Sequence, residues 1–273
     1  MLMSWINKPA GLCSVFVSLG CLVGGLQADT AGVSEYSSPV SADYPKNVYW
    51  GDTHLHTRNS ADAYSLGNLN LTPTDAYRFA RGQKITAHNG MQAQLRRPLD
   101  FLVVSDHAEY LSGYYRFDVA DPVVVATAAG DQWKVFMAEG DPIKRIGAFT
   151  GSMSDPQDYP AFPEITRKLI WQDVAQTADE NNMPGQFTAL IGYEWTSMIA
   201  GNNLHRVVLY RDGADKVARL PPFSGQDSLD PRELWKALER YEQVTGGEVM
   251  AIAHNGNISN GMMELSDSIN HFK

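Results

Sequence analysis

Five short apolar runs in this chain each meet a histidine or an acid at one end, and that recurrence narrows the possible folds more than any other feature. The runs are residues 47–50, 101–104, 187–192, 207–210 and 248–253. The first leads into Asp52, His54 and His56, the second into Asp106 and His107, the third into Glu194 and the fifth into His254. His205 stands just before the fourth. Runs of this length read as buried strands. Side chains alternate along a strand, so His54 and His56 point to the same side.

Helix signals fill the intervals. Thr72, Pro73 and Asp75 supply an N-cap, a first-turn proline and an N3 acid. Ala76, Phe79 and Ala80 give that helix its apolar face, and Gly82 ends it. Residues 164–181 form a second helix, with Ile170, Trp171, Val174 and Ala178 on one side. Asp230, Pro231 and Glu233 open a third, which Leu234, Ala237, Leu238 and Tyr241 line and Gly246-Gly247 stops. Strands alternating with capped helices predict an α/β fold with mainly parallel strands. In barrels of that class the active site forms past the C-terminal ends of the strands. Residues 108–163 interrupt the rhythm with tyrosines, glycines and the steps Asp121-Pro122, Asp141-Pro142 and Asp155-Pro156. They read as an irregular insertion, with short helices near 122–129 and 132–138.

Residues 1–28 stand apart. Lys8 is the only charge before Asp29, and 11–26 is apolar and small, the pattern of a secretory signal peptide with Ala28 at the cleavage position. The expected location is periplasmic or secreted, with no stable membrane insertion after cleavage. Residues 29–46 read as a polar linker, which leaves 47–273 as the domain. Both cysteines, Cys13 and Cys21, fall in the signal segment. The expected mature chain therefore has no disulfide, no thiolate zinc site and no cysteine nucleophile. Lys and Arg number 22 against 31 Asp and Glu, a net charge of −9, so there is no general attraction for nucleic acid. The Gly-x-Ser-x-Gly elbow of serine hydrolases is absent.

Histidine and carboxylate chemistry remains. A lone histidine near a strand end is usually a satisfied polar group, and His88 and His271 are read that way. Five histidines with several acids at successive strand ends are not independent events, and they point to a metal centre. Without thiols, zinc, manganese and iron all fit. More than four ligands imply two or three divalent ions, an arrangement suited to hydrolysis.

The stretch Gly51-Asp52-Thr53-His54-Leu55-His56-Thr57 with Ser60-x-Asp62-Ala63, followed by Ser105-Asp106-His107, resembles two motifs of the PHP (polymerase and histidinol phosphatase) superfamily. Within it, the chain is similar to the exported group catalogued as domain of unknown function 3604, over 48–68, 100–113, 190–210 and 248–261. The resemblance implies a distorted PHP-type (β/α)7 barrel around a multinuclear metal site. It implies His54, His56, His107, His205 and His254 as ligands, Glu194 as the carboxylate that bridges metals, and Asp62 where many members place a histidine. The superfamily's late Asp-x-His pair has no counterpart, because Asp267 and His271 are not so spaced. Members of the exported group are also longer, so a barrel incomplete at the C-terminus is the expectation.

The function expected from these residues is an exported, metal-dependent hydrolase of phosphate or sulfate esters, acting on a small anionic ester. Hydroxide made at the metals would attack, with Asp106 or His107 orienting it or moving protons. Arg58 reads either as a neutraliser of an anionic oxygen or as a surface arginine. One alternative is an amidohydrolase, which would require a bridging lysine where Glu194 stands. The other is a non-catalytic metal-binding remnant, favoured by the missing last ligands. Specificity is expected to lie in 108–163, and the oligomeric state is not legible.

Overall fold

A computed structural model describes residues 45–264, apart from 139, 140, 157, 158 and 160. The expected signal peptide, most of the linker, and Asp267 and His271 lie outside the described residues. The chain enters with β1 (Gly51–Leu55), α1 (Ala61–Ser65) and α2 (Pro73–Ala80), then a two-stranded ribbon of β2 (Ile85–Thr86) and β3 (Gln92–Ala93). After β4 (Phe101–Val104) come four helices: α3 (Gly113–Asp118), α4 (Pro122–Val125), α5 (Ala128–Ala138) and α6 (Pro142–Ser154). The remainder is α7 (Glu164–Asn181), β5 (Thr188–Trp195), β6 (Arg206–Tyr210), α8 (Ala214–Val217), α9 (Pro231–Thr245) and β7 (Val249–Ala253).

The main sheet is curled and has five strands in the order β1-β4-β5-β6-β7. Its pairings correct the expectation of a mainly parallel sheet. β1 with β4 and β4 with β5 are parallel, whereas β5 with β6 and β6 with β7 are antiparallel. The cause is the short loop 196–205. A parallel crossover takes about a dozen residues or more, usually with a helix, so β6 folds straight back along β5. The longer connection through α8 and α9 then returns β7 to the common direction. Among the described residues the sheet stops at β1 and β7 without closing, so a full seven-stranded barrel is not what this part of the chain forms.

Two strand boundaries moved for related reasons. The first strand, expected to begin over 47–50 and run on past Gly51, begins only at Gly51, because the ladder starts there opposite Phe101, the first residue of β4. Val48, Tyr49 and Trp50 precede that ladder and are exposed. β5 continues three residues past the expected end, since Arg206 of β6 pairs as far as Trp195.

The helix signals hold where a cap announces them. Thr72 and Asp75 form a reciprocal capping box on α2, and Asp230 accepts from the Arg232 N–H at the start of α9. Gly246 ends α9 at φ 63°, where a side chain would be strained. The insertion, expected to be irregular, is mostly helical. Asp121 and Asp141 cap α4 and α6 through the N–H groups of Val123 and Ile143, so two of the three Asp-Pro steps start helices. Tyr110, Tyr114, Phe117, Trp133 and Phe162 form an aromatic cluster that holds the insertion together.

β5 separates two environments. Tyr193 and Trp195 are buried, and Tyr193 meets Trp171 of α7 with ring centroids 5.7 Å apart. Alternation sends Gly192 and Glu194 to the opposite face. A Cβ on Gly192 would stand 2.5 Å from Val103 Cγ1 and 2.7 Å from the Val208 carbonyl oxygen. Gly192→Ala is therefore expected to destabilise the fold by about 1–3 kcal/mol through overpacking. Urea unfolding measures it, and an unchanged midpoint would show that the sheet yields without cost.

Candidate metal centre

The register of β1 against β4 shifts between Asp52 and Leu55. Such bulges re-aim side chains beside functional sites. Here His54 and His56 have ring centroids 5.0 Å apart, and both bring Nε2 to Glu194 Oε2, at 3.0 and 2.8 Å. The exit of β1 is tied to that of β4: Ser105 Oγ accepts from the Leu55 N–H, and Thr57 donates its N–H and hydroxyl to the two oxygens of Asp106, at 2.5 and 2.8 Å.

Glu194 is the hub, with its side chain 1% exposed. Its Oε1 lies 2.7 Å from His205 Nδ1, 3.1 Å from His254 Nε2 and 3.6 Å from His107 Nδ1. His205 arrives there because β6 is reversed: the residue before β6 lies at the same rim as the residues after β5 and β7. A main-chain bond from the His254 N–H to the His205 carbonyl, 3.3 Å, fixes the two together. Asp62 sits in the first turn of α1, where its Oδ1 accepts from the Ser60 hydroxyl at 2.5 Å. Its Oδ2 lies 3.1 Å from His56 Nδ1 and 3.6 Å from His107 Nε2.

These side chains make three ligand groups, His54–His56–Glu194, His56–Asp62–His107 and Glu194–His205–His254, whose donor atoms within each group lie within 4.8 Å of one another. All seven expected ligands are in them. Asp106, expected to act on the nucleophile, is not; both its oxygens hold Thr57, and burial pushes its carboxyl up to about 6. Arg58 lies over the Tyr115 ring, 3.7 Å from its centroid. His88 is exposed and in none of the groups.

The donor set fits metal ions. His205 Nε2 and His254 Nδ1 are buried without a hydrogen-bond partner, and Glu194 Oε1 stands close to His205 Nδ1 and His254 Nε2 but at angles that do not make a hydrogen bond. Burial would raise the Glu194 pKa, but His107 and the imidazoles of His205, His254 and His54 hold it well below the usual carboxylate range. Asp62 is treated likewise: burial raises it, and His107 with His56 more than offsets this. At His56 burial lowers the pKa, yet Asp62 and Glu194 outweigh it and lift the ring to about 10. His205 is pushed down, chiefly by burial. The sequence reading missed Thr57, Ser60, Glu109 and Thr196. Thr57 and Ser60 stood inside the quoted motif as letters without a role, Glu109 carried the signal of an acid two residues after a ligand, and Thr196 carried none.

Two outcomes are expected. Elemental analysis of purified protein should find two or more equivalents of zinc, manganese or iron, and His54→Ala with His56→Ala should lose most of it; a double variant as fully loaded as the parent would refute the centre. Metal also displaces the proton of His56, so affinity should climb with pH by about tenfold per unit for that proton, up to about 10. In metal-free protein the sign reverses: the stability from protonated His56 is complete below its ordinary value of 6.5 and is lost as pH rises through about 10. Titrations of metal and of denaturant at several pH values check both.

No curated protein and no solved structure matches the chain. A family model described as a protein of unknown function (DUF3604) matches residues 43–269. With its histidines and acids gathered on one rim of the sheet, this chain belongs to the DUF3604 family.

Proposed function

We propose that this protein is a PHP-type, exported, metal-dependent hydrolase of phosphate or sulfate esters. The observation that carries the reading is the sharing of ligands. His56 belongs to the first and second of the three groups and Glu194 to the first and third, so ions held there would be neighbours joined by common side chains. Two or three zinc, manganese or iron ions would supply an acidified water and positive charge against an anionic ester.

The chain's own residues divide the remaining work. Glu194 and Asp62 carry the negative charge that retains the cations, and the imidazoles add neutral donors. Asp106 clamps Thr57 and so fixes the loop that carries both His56 and Asp62. The His54 side chain is 40% exposed, which marks the β1 side of the centre as the approach for substrate. On another side Phe149 of α6 stands 4.8 Å from the His107 ring and keeps water from it. A carboxylate hub, not a lysine, favours this reading over an amidohydrolase. The export proposal rests on residues 1–28 alone.

The test is a panel of aryl phosphate monoesters, diesters, phosphonates, sulfates and anilides, offered to protein loaded in turn with Zn²⁺, Mn²⁺ or Fe²⁺. Turnover of a phosphate or sulfate ester is expected, abolished by chelator and restored by metal. Glu194→Ala should lower it by about 100-fold or more, since even outer-shell changes cost about 10- to 100-fold. Anilide cleavage alone would reassign the chain to amide hydrolysis, and fully loaded protein without turnover would leave metal binding without catalysis.

A further inference from the structure

Glu109 is a fully buried carboxylate that the proposed hydrolysis does not use. Its Oε1 accepts the N–H groups of Gly225, at 2.5 Å, and of Thr196, at 3.3 Å. Its Oε2 is buried without a hydrogen-bond partner. Among the described residues the one basic side chain within 4.0 Å is His107, whose Nδ1 lies 4.0 Å from that Oε2. The same Nδ1 is 2.5 Å from Thr196 Oγ1. Glu109, Thr196 and His107 thus form one buried cluster on the side of the His107 ring away from Asp62.

Proton accounting gives the cluster a direction. His107 Nε2 faces Asp62 Oδ2 at 3.6 Å, so it is the nitrogen available to an ion held by His56, Asp62 and His107. A neutral imidazole that coordinates through Nε2 keeps its proton on Nδ1. That N–H then donates to Thr196 Oγ1, and the Thr196 hydroxyl must donate elsewhere. Two nearby carboxylate oxygens lack a hydrogen-bond partner, Glu194 Oε1, 3.6 Å from the same Nδ1, and Glu109 Oε2, 4.0 Å from it; of the two side chains, Glu109 is the one bonded to the Thr196 main chain. Residue 225 has no room for a side chain, because a Cβ would stand 2.4 Å from the Thr196 carbonyl oxygen. The loop 224–229 is fastened here again by Ser197 Oγ donating to the Leu229 carbonyl, at 2.8 Å.

We propose that Glu109 is a positioning residue: through Thr196 it holds the His107 ring with its proton on Nδ1 and Nε2 toward Asp62, and so sets how tightly the His56–Asp62–His107 group binds its ion. The proposal rests on the metal reading above and does not depend on which ester is cleaved.

The test measures Co²⁺ affinity from its visible spectrum, alongside the unfolding midpoint of the metal-free protein. The variants are Glu109→Gln, Thr196→Val, Thr196→Ser and the Glu109→Gln/Thr196→Val double. Glu109→Gln keeps an acceptor for both main-chain N–H groups but replaces the second carboxyl oxygen with an amide donor. It and Thr196→Val are each expected to weaken the affected Co²⁺ site by about 10- to 100-fold, with little change in the metal-free midpoint. The double variant should be no weaker than the worse single, because both cut one chain of bonds. Thr196→Ser should restore affinity to within about twofold, since the hydroxyl is retained. Unchanged Co²⁺ affinity in a folded Glu109→Gln, or losses that add in the double, would overturn the proposal. If Glu109→Gln fails to fold, the Thr196→Val and Thr196→Ser pair decides: equal affinities would overturn it, and loss in Val with rescue in Ser would support it. A parent protein that binds no Co²⁺ at all would overturn the metal centre itself, and this role with it.

Discussion

An ionised carboxylate cannot be buried alone. Its desolvation costs several kcal/mol after relaxation, of order 20 kcal/mol in the idealised limit, and only close positive charge or donated hydrogen bonds offset that. Glu194 meets this constraint in the middle of the sheet, and much of the rim is arranged around it. Four imidazoles lie within 3.1 Å of its two oxygens, drawn from β1, from the loop after it, and from the flanks of β6 and β7. No neighbouring pair in sequence could supply them. The sheet must curl and its strands must be in register for the four rings to reach one carboxylate.

Strand direction follows from the same requirement. Had β6 run parallel to β5, the residue before it would lie at the far rim, and His205 could not touch Glu194. The short return after Trp195 is thus more than an economy of chain. It brings an N-terminal flank to a rim otherwise built from C-terminal flanks. The bulge in β1 makes a comparable adjustment at the β1 edge, turning His54 of the strand and His56 just after it inward to one oxygen.

The seven side chains of the three groups were legible because their types and spacings are tied to chemistry that few other roles require. His54 and His56 could be placed on one side from period alone, and a carboxylate or histidine at each later strand end completed the set. Helix ends were legible at Thr72 and Asp230, where the cap is local. Three things were not. Strand direction depends on what the loop 196–205 cannot span, which no residue type announces. The start of β1 depends on where its partner begins, a non-local fact. The helices α3 and α6 lay in a segment whose tyrosines and glycines suggested loop; Asp141 signalled one of them, while α3 starts after Ser112 in the left-handed region with no side-chain cap. Glu109 and Thr196 were hidden for a different reason, since supporting residues take their meaning from the ligand they touch and not from sequence spacing.

In the proposed centre, the unequal exposure of the rings would give its ions unequal access to solvent. Among the described residues His54 lies on an edge strand with its side chain 40% exposed, whereas His107 is closed in by Phe149, Thr196 and the insertion. Ions held at the two ends would not exchange at the same rate. The outer one would follow the surrounding medium from moment to moment, while the inner one would keep the identity it had when the chain folded over it. For the proposed centre, the order in which metals are offered would therefore matter as well as their concentrations.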